Sequence, residues 1–598
     1  MSSRISVVWW LCCALVISSC NCGGKSDGEP GSGESTAQKT VFRHNRISEH
    51  KSLDPVKQFD QASAEIIMNV YDTLLEYHYL KRPYEMVPNL LTKMPELSAD
   101  GLTYSFELRS DARFVDDPCF PGGKGRALKS DDVIYSFKRF ASGQNVKSYS
   151  LMQGTVAGMD TFREATIKGG DLNKLEITGL KKVDDQHFTM TLTSSNPLAL
   201  YPLAATPTSI IAREAVEHYK DDFQNHPVGT GPYFVKDLQR RGVTVLARNP
   251  NYHGVYPSEG MPGDAEKGLL KDAGKKLPLI DEIQLPLIEE PQPAMLKFQS
   301  KSLDWVAIDR DNFVKIAFKD DTGFHLQKEY VGKFQLYAEP RLSTEYWAFN
   351  MNDPLVGKNK ALRQAIAYAQ DNVGYVKELL NGRAVELQSV VPPGIKGSQT
   401  DMKLEWYANN LELAKKKLAE AGYPGGKGLP ELTIEYRAST TRTRQDYEWN
   451  RNELAKIGIV LKANFQTFTA YIMRVESGNY QIANSGWMAD YPDAENFYQL
   501  LYSLNKPPGS NHSAYNNPAY DKLFEQARFM PNGPERFALF EKMHAMIRED
   551  VPITVQYSEI AVGLHQNWVK NFKRNIMLDM PFKYFDVDNA AKAAAGAK

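Results

Sequence analysis

Three carboxylates fall close together in Asp490-Tyr491-Pro492-Asp493-Ala494-Glu495. A pair of acids held about 5–9.5 Å apart could cleave glycosidic bonds, one protonating the leaving oxygen and the other attacking or activating water. A second candidate is Gly229-Thr230-Gly231-Pro232, whose glycines could cradle a phosphate. It lacks the Lys and the following helix of a phosphate-binding loop, and its Pro and Tyr lead into a strand. There is no Gly-x-Ser-x-Gly elbow, no His-Glu-x-x-His and no Cys/His cluster. The 11 histidines show no metal spacing, and His218 and His226 flank a loop and read as surface residues. No catalytic residue, metal site or cofactor is assigned, and the chain reads as a non-enzyme.

The elements that must position such residues are mixed. Tyr104, Phe106 and Leu108 alternate with polar neighbours, as do Phe188, Met190 and Leu192, and Leu432, Ile434 and Tyr436. This period of two predicts half-buried strands. Helices are predicted where Val133, Phe137 and Phe140 follow an N-cap at Ser130, at Leu362, Ala365, Ile366 and Ala369, and at Leu411, Ala414, Leu418 and Ala421 before Gly422. Segments 116–125 and 257–276 read as loop insertions, and the Ala- and Lys-rich tail from Asn589 as frayed. A chain of 598 residues holds three to four domains' worth of sequence. Its 42% hydrophobic and 24% charged residues are ordinary globular usage. With 71 basic and 72 acidic residues the net charge is −1, which argues against nucleic acid as a partner.

The N-terminus reads as an export signal. Arg4 precedes an apolar run over 7–17, too short to span a membrane comfortably, followed by Ser18-Ser19-Cys20. Ile17-Ser18-Ser19-Cys20 resembles the bacterial lipobox, whose Cys is lipidated and becomes the mature N-terminus. The alternative is an ordinary signal cleaved nearby. Residues 1–19 are then the signal and 20–39 a flexible tether rich in Gly, Ser, Asp and Glu. Four of five cysteines lie in the first 22 residues, so no disulfide framework is expected, and a Cys22–Cys119 pair is left open. The exported protein would sit on the cell membrane facing the periplasm or exterior, with the outer membrane not distinguished.

Several segments in order carry a family resemblance. They are Ser52-Leu53-Asp54-Pro55, Asn69-Val70-Tyr71-Asp72-Thr73-Leu74, Val87-Pro88-Asn89-Leu90, Gly229-Thr230-Gly231-Pro232-Tyr233, Arg248-Asn249-Pro250-Asn251-Tyr252, Phe349-Asn350-Met351-Asn352, Leu362-Arg363-Gln364-Ala365-Ile366, Trp487-Met488-Ala489-Asp490-Tyr491 and Asn517-Pro518-Ala519-Tyr520-Asp521. The set resembles the family 5 extracellular solute-binding proteins of bacterial ABC importers, which include oligopeptide, dipeptide and nickel binders. The resemblance implies an α/β fold of the class II periplasmic binding protein type, with two lobes around a ligand cleft and an extra subdomain in the first lobe. It places lobe one at 40–84, 205–303 and 555–590, the subdomain at 85–204, and lobe two at 304–554, leaving 591–598 as a frayed tail. It implies a monomer that captures peptides by hinge closure and delivers them to a permease and its ATPase subunits.

The same resemblance suggests site residues. Asp490 matches the family Asp that holds a peptide amine, a charge that needs a carboxylate once out of water. Gly486, Trp487 and Met488 would wall the pocket. Asn350 would offer polar contacts, one of Tyr346 and Trp347 would face the ligand, and Tyr149 lies near a position where a related binder has a ligand-contacting Tyr. The carboxylate end is less defined. Asn484 stands where a related binder has Arg, and Arg437 is the substitute cation or else a strand-end surface residue. Alternatives remain a non-peptide ligand such as a nickel complex, sugar or haem, a permease-independent sensor or chaperone, and an extracytoplasmic hydrolase.

Overall fold

Leu432, Ile434 and Tyr436 are fully buried, and so is Glu435 between them. The strand Leu432–Tyr436 therefore has both faces covered, as is typical of parallel sheet strands between helices. It pairs in parallel with Leu461–Phe465 on one side and Ile482–Met488 on the other. Ser343–Phe349 continues the sheet antiparallel to Ile482–Met488, and the 14-residue strand Ile553–Gln566 follows. The computed structural model describes residues 39–58, 60–143 and 147–597. The signal segment, Cys20, Cys22 and the tether up to residue 38 lie outside the described residues.

The long strand joins two regions. Its first residues pair with Ser343–Phe349, and its last seven pair with Phe334–Pro340 and, across the other edge, Trp305–Ala307. Two adjacent antiparallel ribbons thus carry the chain between lobes. The second lobe's core runs from Leu342 to Val555 and includes Trp347, Phe349, Ile434, Leu454 and Tyr498. A smaller core under the helices Pro291–Gln299 and Arg310–Ile316 lies at the far end of the ribbon. Residues 39–598 form one compact unit.

The first lobe has a four-stranded sheet in the order Val41–Arg43, Glu282–Pro286, Val243–Arg248, Tyr233–Asp237. Residues 85–204 contribute a separate antiparallel sheet, in which Thr103–Glu107 pairs with His187–Thr191. One continuous core links the two, from Phe42 through Phe106 and Phe188 to Phe585. The glycine loop belongs to this packing. A Cβ on Gly229 would sit 2.1 Å from the Val70 carbonyl oxygen, and Thr230 donates to buried Asp72 at 2.8 Å.

Two local expectations change, at Ser130 and in the tail, while 257–276 is the expected loop. Ser130 is the first residue of helix Ser130–Ala141 and its hydroxyl donates to the Asp184 carbonyl; the helix is closed instead by Asp132, which accepts from the Lys129 backbone at 2.9 Å. Segment 257–276 is fastened to the return strand region by Lys573–Asp264 at 2.8 Å and Asn571–Asp272 at 2.7 Å. The tail is not frayed at 589–594. Asp588 caps the helix Asn589–Ala594, and Lys592 reaches inward to the Val41 carbonyl at 2.9 Å and to Asp304 at 3.1 Å. Asp304 stands just before the strand Trp305–Ala307. It is fully buried, accepts from Trp568 Nε1 at 2.6 Å, and ties this strand to both chain termini of the lobe. An Ala-rich sequence gives no hint of that anchor because a single lysine supplies it.

Candidate ligand cleft

The strand pair Ser343–Phe349 and Ile482–Met488 builds the floor of the site. Register places Ser343 opposite Met488, Glu345 opposite Gly486 and Trp347 opposite Asn484. With a side-chain period of two, these six share one face. Their open end lines a cavity of about 390 Å³, closed by Arg341, Tyr375, Arg437, Arg442, Thr443, Asp446, Trp487, Tyr557 and Glu559. Arg437, Gly486, Trp487 and Met488 from the sequence reading come together here.

The cavity is charged, and its charges are arranged. Arg437 Nη2 lies 2.5 Å from Glu345 Oε2. Gly486 lies directly beneath that pair, since a Cβ there would meet Glu345 Oε1 at 2.7 Å and Arg437 Nη1 at 2.8 Å. An added Cβ would displace the ends of both side chains, and with them the ion pair. Glu559 pairs with Arg442, and Arg341 stands 3.7 Å away. Burial pushes the Glu559 pKa up, but the two arginines more than offset it, and the net shift is downward. Burial holds the Asp446 pKa up, and raises that of Glu345 against the Arg437 charge. Three guanidiniums, of Arg341, Arg437 and Arg442, thus share the lining with three carboxyl groups, of Glu345, Asp446 and Glu559. His512, close by, is pushed down to about 4 by burial and by Arg437, so it adds no cation at neutral pH.

Asp490 lies just beyond the strand end, outside this cavity's lining. Ala489 N donates to Leu342 O at 2.8 Å, which fixes the turn on the neighbouring strand. Asn496 then holds three groups together. Its Oδ1 accepts from Trp487 Nε1 at 2.9 Å and from Asp490 N at 3.0 Å, and its Nδ2 donates to Asp490 Oδ2 at 3.0 Å. Asp490 is exposed, and Asn496 orients its carboxylate. Desolvation raises its pKa, with the Asn496 hydrogen bond opposing. Lobe one lies opposite. Tyr77 is within electrostatic reach of Asp490, and Tyr201 stacks on Tyr491 with ring centroids 5.3 Å apart.

The other two acids of the triplet are occupied. Arg536 grips buried Asp493 with two hydrogen bonds of 2.7 and 2.8 Å, and buried Glu495 accepts from Tyr491 at 2.5 Å. No second free carboxylate stands beside Asp490 in this segment, so the glycosidic arrangement does not form.

Four expected contact residues lie elsewhere. Asn350 is buried, and its amide donates to the Gly478 and Tyr480 carbonyls at 2.9 and 2.8 Å while its oxygen accepts from Asn352 N at 3.0 Å. Tyr346 and Trp347 are both inside the second core, because helices cover both sheet faces and alternation exposes neither. Tyr149 belongs to the first lobe's core, with its hydroxyl on Asp160 and its ring under Arg163. The sequence reading missed Arg341, Arg442, Tyr375 and Glu559. Their positions span 341 to 559, and only the sheet order brings them together. Among the described residues no group of three His, Cys, Asp or Glu is placed to hold a metal, and no helix is long and apolar enough to cross a membrane.

Known proteins similar to this chain are numerous. Residues 85–508 match the profile of the bacterial extracellular solute-binding proteins, family 5 middle region. The oligopeptide-binding protein OppA of Bacillus subtilis (strain 168) is 24% identical over 572 residues, covering 93% of this chain and 94% of that protein. The dipeptide-binding protein of Escherichia coli (strain K12) is also 24% identical, over 81% of this chain and 83% of its own length. Among solved structures, the periplasmic binding protein DppA from Helicobacter pylori in complex with peptide STSA superposes with a TM-score of 0.71, at 23% identity over 92% of this chain and 98% of that one.

Proposed function

Because the chain belongs to the family 5 bacterial extracellular solute-binding proteins, we propose that it captures short peptides between its lobes for an ABC importer. The observation that carries this reading is the pairing of Asp490 at the cleft wall with an arginine-rich cavity two residues back along the same strand. A peptide zwitterion needs both. Its amine requires a carboxylate once desolvated, and Asp490 is a half-solvated acid with no cation bonded to it among the described residues. Its carboxylate suits a guanidinium, whose five donors allow Arg437 to hold Glu345 and a second carboxylate together. The intervening ligand backbone can bond along strand ends, as extended peptides do in β-augmentation. Catalysis is no part of this role.

The ligand favours closure only if it touches both lobes. The Tyr201–Tyr491 stack beside Asp490 supports a cleft whose two walls meet around the amine end. Delivery would then be to a membrane permease driven by ATPase subunits, with the binder acting as a monomer. The N-terminal signal and lipobox-like Cys20 support export and a lipid anchor on the outer face of a cell membrane. The test is native mass spectrometry of residues 39–598 as purified from cells. A series of bound masses matching di- to pentapeptides is expected, and a single discrete non-peptide mass would contradict the reading.

A further inference from the structure

A second cavity, of about 380 Å³, opens on the other side of the strand that lines the first. Arg341 and Ser343 border the charged cavity, and Leu342 between them borders the second. Alternation along an extended chain sends neighbours to opposite sides. Both lobes contribute to the second wall. Pro83 and Tyr84 come from the first lobe, and Pro340, Leu342, Pro393 and Ile395 from the second. Its charged residues are matched with one another, Lys396 with Asp401 at 3.3 Å and Arg82 with Glu339 at 3.9 Å. What remains facing the space is apolar.

This cavity adjoins Asp490 by two routes. Ala489, its immediate neighbour, is hydrogen-bonded to Leu342 at 2.8 Å. Tyr77, within electrostatic reach of Asp490, packs edge-on against Tyr84, with centroids 6.3 Å apart and planes at 83°. The Tyr77 hydroxyl is buried and has no hydrogen-bond partner among the described residues. Asp490 thus stands at a fork, with a charged arm on one side of the Arg341–Ser343 segment and an apolar arm on the other.

We propose that the second cavity receives an uncharged apolar side chain at the first or second position of the bound peptide, making the protein selective for peptides with such a residue near the amino end. This rests on the peptide reading above. Consecutive side chains of an extended ligand diverge to opposite sides, so a peptide anchored at Asp490 can fill one arm while its chain continues into the other. Burial of a leucine-sized group gives roughly 10- to 100-fold in affinity.

Calorimetric titration of residues 39–598 with Ala-Ala-Ala-Ala, Leu-Ala-Ala-Ala, Ala-Leu-Ala-Ala and their Asp counterparts tests the proposal. At least one leucine peptide should bind tenfold or more tighter than tetra-alanine and its Asp counterpart. Thr400→Trp, at the exposed rim of the cavity, should remove that advantage and leave tetra-alanine binding within about twofold. Tyr84→Phe should retain it. Equal affinity for all five peptides, or a leucine preference that survives Thr400→Trp, would overturn the apolar arm and leave peptide capture standing. Binding of none of them would overturn both.

Discussion

At the scale of single residues, Asp490 carries the amine assignment, and its environment makes a pH prediction. Its pKa is raised by desolvation. A raised acid pKa means that the folded protein takes up the proton more readily than the unfolded chain. The ionised carboxylate therefore costs stability at neutral pH, and this cost disappears as pH falls through the folded value. Ligand binding runs the other way, because a peptide amine needs the ionised form. Affinity should fall on acidification, starting above the pH at which an ordinary aspartate near 3.9 titrates. Asp490→Asn should lower peptide affinity by about 30-fold or more, abolish that acid limb and leave the melting temperature unchanged or higher. Titration calorimetry from pH 4.5 to 8 reads all but the last. An unchanged acid limb in the variant would assign it to another group. The Trp-x-Ala-Asp-Tyr run was legible in the sequence because its residues are contiguous. Asn496, which orients Trp487 and Asp490 together, was not, since an Asn six residues downstream of the Asp carries no signal until the loop turns back.

At the scale of elements, the floor strands explain why some expected contacts fell away. The sequence marks Tyr346, Trp347 and Asn350 as one run, but a sheet covered on both faces buries both phases of the alternation. The predicted strand at Leu432–Tyr436 and helices at Leu362 and Leu411 are present, because strong periodicity survives tertiary context. The charged cavity needs one further device, a glycine under an ion pair. Gly486→Ala would force its Cβ against Glu345 and Arg437. The atoms it meets are the far ends of flexible side chains, so the ion pair moves while the backbone stays in place. We expect roughly tenfold weaker peptide binding with a melting temperature within a few degrees of the parent; unaltered affinity would remove the pair from the ligand site. The terminal helix makes a separate prediction. Lys592→Met leaves Asp304 with one fewer cation in a buried setting, a change that typically costs about 3–5 kcal/mol. The denaturation midpoint should drop accordingly, and an unchanged midpoint would show that Trp568 and the Arg43 amide suffice.

At the scale of the whole molecule, two lobes with separate cores are joined by antiparallel ribbons, and the proposed ligand chemistry would sit where those ribbons enter the second lobe. This placement lets one element do two jobs. Residues 341–343 belong to the connection between lobes and also divide the charged arm from the apolar arm. A ligand bridging Asp490 and the arginines therefore touches the part of the chain that closure must move, as hinge-type switching requires. The order of segments in the sequence made the lobed architecture legible. The cleft's selectivity was not, because Arg341, Arg442 and Glu559 are separated by about a hundred residues each and converge only through sheet order. The central claim is that a free peptide amine is held at Asp490. The most direct measurement is titration of residues 39–598 with tetra-alanine and with its N-acetylated form, which removes the positive charge and keeps the rest of the peptide. The account predicts that acetylation weakens binding by about 30-fold or more in the parent protein and by less than threefold in Asp490→Asn. Equal affinity for the two peptides in the parent would contradict it.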